Sequence, residues 1–118
     1  MSYRSQVAIA ISKENYEVLK NFDEGNKNLR EFLDVAEVKE DNNVVVIRWG
    51  YVKWFPEFPE IQAIQEFLCY VSDKNDSYRF IRLGEDIEDT EIETNYGEED
   101  DDDIVDAIQI YRDIDINI

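Results

Sequence analysis

The stretch Gln6-Val7-Ala8-Ile9-Ala10-Ile11 is apolar on both faces, the pattern of a strand covered on two sides or set centrally in a sheet. Ser12 follows in the place of a helix N-cap, and Tyr16, Leu19 and Phe22 recur at helical spacing until Gly25 ends the pattern. Leu29, Phe32, Leu33 and Ala36 then fall at i, i+3, i+4 and i+7, a second amphipathic run facing the same core. The two runs predict one bent helical arm. Residues 37–40 and 44–49 flank Asp41-Asn42-Asn43, residue types that tolerate the left-handed backbone of a tight turn, and so predict a hairpin. Gly50 interrupts the second run before Tyr51-Val52-Lys53-Trp54, where a bulge or bend is expected. Beyond Pro59, Ile61, Ile64, Phe67, Leu68 and Val71 keep a 3.6-residue period and predict a helix that ends near Lys74.

Tyr78 to Leu83 reads as a strand ended by Gly84. Thr90, Ile92, Thr94 and Tyr96 alternate with Glu91, Glu93 and Asn95 in the two-residue period of a half-exposed strand with one acidic face. At the end of the chain Ile108, Ile110, Ile114, Ile116 and Ile118 alternate with polar residues, broken on the apolar face by Arg112, and predict one further strand. The order is split-βαβ-like with two added C-terminal strands. It predicts an α+β fold with two to three helices packed on a mostly antiparallel sheet. With 118 residues, 43% of them apolar, one domain with one core is expected over residues 1–118, carrying an acidic loop at 97–103.

Charge changes the picture. Residues 1–84 hold 14 acidic and 11 basic side chains, a net of −3, whereas residues 85–118 hold 15 acidic and one basic, a net of −14. Thirteen carboxylates lie between Glu85 and Asp106, six of them consecutive from Glu98 to Asp103. Self-repulsion on that scale opposes a compact state and asks for a reason: solubility, cation binding or a basic partner.

The chain has no histidine and a single cysteine, Cys69, which removes the common ligands of zinc, copper and non-haem iron and the imidazole that would activate a thiol. Cys69 reads as a small buried hydrophobe on a helix. Oxygen-ligand chemistry with calcium or magnesium remains, but Asp100 to Asp103 lack the alternating ligands, central glycine and final glutamate of an EF-hand loop. Glu37-Val38-Lys39 has the E-x-K spacing of some metal-dependent nucleases. No clear second ligand stands upstream of it, and the acidity of the chain would repel a nucleic-acid substrate. Four glycines, with no P-loop, dinucleotide fingerprint or nucleophile elbow, leave little room for a phosphate cradle. No enzyme and no cofactor are therefore expected. No run approaches the roughly 18 apolar residues of a membrane span, and the start Met1-Ser2-Tyr3-Arg4 lacks the apolar run of a signal peptide. A cytoplasmic location in a bacterial host is expected, with no membrane and no direct nucleic-acid partner.

Glu91 and Glu93 would stand about 6.7 Å apart on one face of their strand, as would Asp113 and Asp115. Duplex DNA presents one charge per about 1.7 Å of axis, so a ridge of ordered carboxylates can imitate a line of phosphates. The aromatic residues Trp49, Tyr51, Trp54, Phe55 and Phe58 read first as core, and Lys53, Arg79 and Arg82 make their neighbourhood the least acidic part of the surface.

The segments Tyr51-Val52-Lys53-Trp54-Phe55-Pro56-Glu57-Phe58-Pro59-Glu60-Ile61-Gln62 and Tyr78-Arg79-Phe80-Ile81-Arg82-Leu83-Gly84-Glu85-Asp86 resemble parts of small acidic phage and prophage proteins of uncharacterised function. The resemblance implies a mobile-element origin. By class analogy in size and charge, the chain is similar to nucleic-acid mimics, anti-CRISPR proteins among them. The expectation is a non-enzymatic protein that occupies a basic, nucleic-acid-binding surface of a host protein. Its partner-binding residues would be Glu85, Asp86, Glu88, Asp89, Glu91, Glu93, Glu98, Glu99, Asp100, Asp101, Asp102, Asp103, Asp106, Asp113 and Asp115. The alternatives are an immunity-type inhibitor of a basic toxin and a phage accessory protein whose acidity serves solubility. The acids along the predicted edge strand disfavour edge pairing and favour a monomer.

Overall fold

The computed structural model describes residues 3–97, 102–110 and 114–118. Strand β1 (Ser5–Ser12) lies at the centre of a five-stranded antiparallel sheet, between β3 (Val44–Val52) and β4 (Tyr78–Leu83). The edges are β2 (Glu37–Asp41) beside β3 and β5 (Thr90–Asn95) beside β4. β3 separates the parallel pair β1 and β2, and β1 separates the parallel pair β3 and β4. This is the split βαβ arrangement used twice, and the molecule is α+β as its element order predicts.

The apolar pattern of β1 explains its position. Val7, Ile9 and Ile11 point to a core beneath helices α1 (Lys13–Lys20), α2 (Lys27–Asp34) and α3 (Pro59–Asp73), while Ala8 and Ala10 point to a second cluster on the opposite face. A strand enclosed on two sides has no solvent face, so its sequence shows no alternation. All five apolar residues that define the predicted α3 helix are buried at 4% exposure or less. Each such side chain contributes about 1.5–3 kcal/mol of burial free energy.

Several expectations change. α1 and α2 are separate helices, not one bent arm. The Ser12 hydroxyl accepts from the Asn15 N–H at 3.1 Å and Asn26 Oδ1 accepts from the Leu29 N–H at 3.0 Å, so each helix has its own cap. The first helix ends at Asn21, whose N–H bonds back to Leu19 O and Val18 O, and Asp23, at a positive φ of 49°, turns the chain between the two helices. The described residues also form two apolar clusters rather than one, because the sheet is covered on both faces. The C-terminal alternation is two short strands, β6 (Ile108–Ile110) and β7 (Ile114–Ile116), paired antiparallel with Ile108 opposite Ile116. They follow a single helical turn, α4 (Asp102–Val105), and Ile104, Ala107, Ile108 and Ile114 cover the second face. The predicted acidic loop at 97–103 thus gives way to helix from Asp102. β5 is an edge strand with neither face covered, and Ile92 is half exposed.

The hairpin of β2 and β3 turns at Asn42, whose φ is 52°. Between Trp49 and Val52 the β3 register advances one residue more than β1, a bulge at the position of Gly50. Cys69 is exposed on α3, not buried. Among the described residues no helix is long and apolar enough to cross a membrane.

Candidate docking site at the β4–β5 loop

β4 and β5 pair in register from Tyr78 opposite Asn95 to Leu83 opposite Thr90, which sets Arg82 directly across from Glu91 and leaves residues 84–89 as the connecting loop. Arg82 is 9% exposed. A buried guanidinium is stable only with its donors satisfied, and four acceptor contacts meet this one. Its Nε donates to Glu91 Oε1 at 2.7 Å, its Nη1 to Ser5 Oγ at 3.0 Å and Asp89 Oδ2 at 3.1 Å, and its Nη2 to Asp89 Oδ1 at 2.7 Å. Asp89 is thereby held bidentately, the geometry for which arginine is suited.

Tyr3 closes the network from the start of the chain. Its hydroxyl donates to Asp89 Oδ2 at 2.6 Å and accepts from the Asp86 N–H at 3.0 Å. The loop also bonds to itself, Gly84 N–H to Asp89 O at 2.8 Å and Asp89 N–H to Asp86 O at 3.0 Å. Gly84 is required by close approach: a Cβ there would run into the Asp89 carboxylate and the Tyr3 hydroxyl. On the outer side Tyr51 donates its hydroxyl to Glu85 Oε1 at 2.9 Å, and the Arg4 guanidinium lies 5.5 Å from the Tyr51 ring centre.

These contacts set the protonation behaviour. The Arg82 hydrogen bond, then that from Tyr3, lowers the Asp89 carboxyl to about 2. The same contacts raise Arg82, led by its bond to Asp89. Tyr3 and Tyr51 are raised by donating to Asp89 and Glu85 respectively.

The loop therefore divides the expected partner-binding carboxylates. Asp89 and Glu91 are engaged by Arg82 and act as structural anions. Glu85, Asp86, Glu88 and Glu93 are exposed and form no ion pair among the described residues. Asp103 and Asp106 are exposed on and after α4. They border a cleft of about 720 Å³ between the β2–β3 turn and the C-terminal segment, with Asp41, Asn43, Gln109 and Asn117. Asp102 opens α4 and Asp115 lies in β7. Glu98, Glu99, Asp100, Asp101 and Asp113 lie outside the described residues. Among the described residues no three carboxylates or cysteines converge as metal ligands would.

Sequence reasoning missed Tyr3, Ser5 and Arg82 as the supports of this loop, and Ile87 at its tip. The charge of Arg82 was read as helping to make its neighbourhood the least acidic part of the surface, whereas two carboxylates pair with it. Of the aromatic group, Trp49 and Trp54 are core, with Trp49 stacked on Phe32 at 4.6 Å and donating its Nε1–H to Phe32 O at 2.8 Å, while Tyr51 is exposed.

Fold and loop together define a class: an α+β sheet protein with an acidic hairpin loop fastened at its base by an internal ion-pair network. Comparisons with protein-family models, curated proteins and solved structures each return no match.

Proposed function

We propose that this chain is a non-enzymatic acidic binding protein that occupies a basic, nucleic-acid-binding surface of a host protein as a mimic or inhibitor. One observation carries the reading: among the described residues Glu85, Asp86, Glu88 and Glu93 stand exposed without an ion pair, beside two acids that the fold does neutralise. The protein has an arginine buried to hold one part of this hairpin and leaves the rest of its charge outward. Continuous with that surface in sequence is the run Glu98 to Asp103. Lysine and arginine lining a nucleic-acid channel would meet these carboxylates in place of phosphates, with counterions released from both surfaces. The resemblance to small acidic phage proteins agrees with a mobile-element origin.

The test begins with affinity capture from bacterial lysate by wild type and by a variant with serine at Glu98 to Asp103, at low and high salt. The captured protein is then identified, purified and titrated. Mimicry predicts binding that weakens with salt and with the serine variant, and competition by duplex DNA or RNA for the same surface. Equal, salt-insensitive binding by both chains, or binding that nucleic acid does not displace, would remove the reading and leave acidity as a solubility feature.

A further inference from the structure

Ile87 is 96% exposed, whereas Ile9, Ile11, Ile47, Ile61, Ile64 and Ile81 are fully buried. A lone exposed apolar residue is ordinary on a protein surface. What sets Ile87 apart is its place at the tip of a loop whose two stems are fixed, by Gly84 against Asp89 and by Asp89 on Arg82 and Tyr3. An apolar side chain held out by a preordered support loses little freedom on docking. It is flanked by Glu85, Asp86 and Glu88, and Tyr51, 64% exposed, is tied to the same loop through Glu85. A central apolar contact with aromatic company and a charged rim is how binding energy concentrates at interfaces.

Charge selects the occupant. A nucleic acid or an anionic lipid surface would be repelled by the rim, and a second copy would bring an identical acidic loop and a further net charge of −17. We infer that Ile87 is the apolar anchor of the docking surface and seats in an apolar socket surrounded by lysine and arginine on a partner protein. The inference rests on the proposed function, since it places the anchor within the same acidic surface.

Two synthetic helical peptides with the same number of lysines provide the probe, one with leucines and one with alanines on its second face. Each is titrated by fluorescence anisotropy against the full-length protein and against Ile87→Ser, at low and high salt. Wild type is expected to bind the leucine peptide about tenfold or more tightly than the alanine peptide, the scale of burying one large aliphatic side chain. Ile87→Ser should bring the two affinities together with its urea midpoint unchanged. A leucine preference that survives Ile87→Ser overturns the anchor, as does equal binding of the two peptides by wild type, and either result leaves the charge-based reading standing. If neither peptide binds at low salt, the charge-based reading fails and the anchor falls with it.

Discussion

The base and the tip of the β4–β5 loop are made of the same residue types within seven positions of one another. At the base, Asp89 and Glu91 converge on a guanidinium that is 9% exposed. At the tip, Glu85, Asp86 and Glu88 flank in sequence an isoleucine that is 96% exposed. The first group keeps part of its water but faces a cation, and so lends its charge to folding. The second keeps its water and its charge with no cation beside it, so apart from the Tyr51 hydrogen bond to Glu85 its charge acts on folding as repulsion. Acidity along a stretch of chain is therefore not one property, and where a carboxylate lies relative to the strand register decides which role it takes.

The strongest way to break this contrast is Arg82→Ala. It leaves two partly exposed carboxylates side by side without their cation. The expected loss is on the order of 2–3 kcal/mol by urea unfolding, below the roughly 3–5 kcal/mol of fully buried pairs because both anions retain solvent. An unchanged midpoint would show that the base is no brace. Gly84→Ala comes next, at about 1–3 kcal/mol, since its methyl group displaces the Asp89 carboxylate that Arg82 and Tyr3 hold.

A pH titration sharpens the comparison further. Asp89 falls from an ordinary 3.8 to about 2 in the fold. Its contribution is therefore complete above about pH 4 and is lost as pH falls towards about 2. Wild type should exceed Asp89→Asn in stability at neutral pH, with the gap closing across that window. A gap that stays constant would place the effect elsewhere. The smallest expected effect belongs to the unpaired charge. Serine at Glu98 to Asp103 should raise stability at low salt by no more than about 0.5 kcal/mol, an increment that added sodium chloride removes. A loss of stability would assign that run a structural partner.

The parts of this molecule that periodicity could announce are the parts built from apolar faces. Ile61, Ile64, Phe67, Leu68 and Val71 fixed α3 almost to the residue, and the unbroken apolar run of β1 placed it at the sheet centre with both sides covered. Cys69 shows a signal that was present and unused. It lies at i+7 from Gln62 and four residues before Asp73, on the polar stripe of the helix that also holds Glu66. The final alternation looked like one strand because each strand of the antiparallel pair β6 and β7 keeps the two-residue period. Arg112, which interrupted the apolar face, falls in the segment between β6 and β7. The brace was illegible for a different reason. Tyr3 lies 86 residues from Asp89 and Ser5 lies 77 from Arg82. Only the sheet order brings them together, and no local pattern encodes that order.

The central claim, that the acids of this hairpin divide into holding and presenting groups, is tested most directly by two charge-matched double variants. Asp89→Asn/Glu91→Gln and Asp86→Asn/Glu88→Gln each remove two negative charges from one loop region, so their effect on overall repulsion is nearly the same. Urea midpoints at neutral pH should fall for the first pair and hold or rise slightly for the second. Equal midpoints, or a fall confined to Asp86→Asn/Glu88→Gln, would contradict the account.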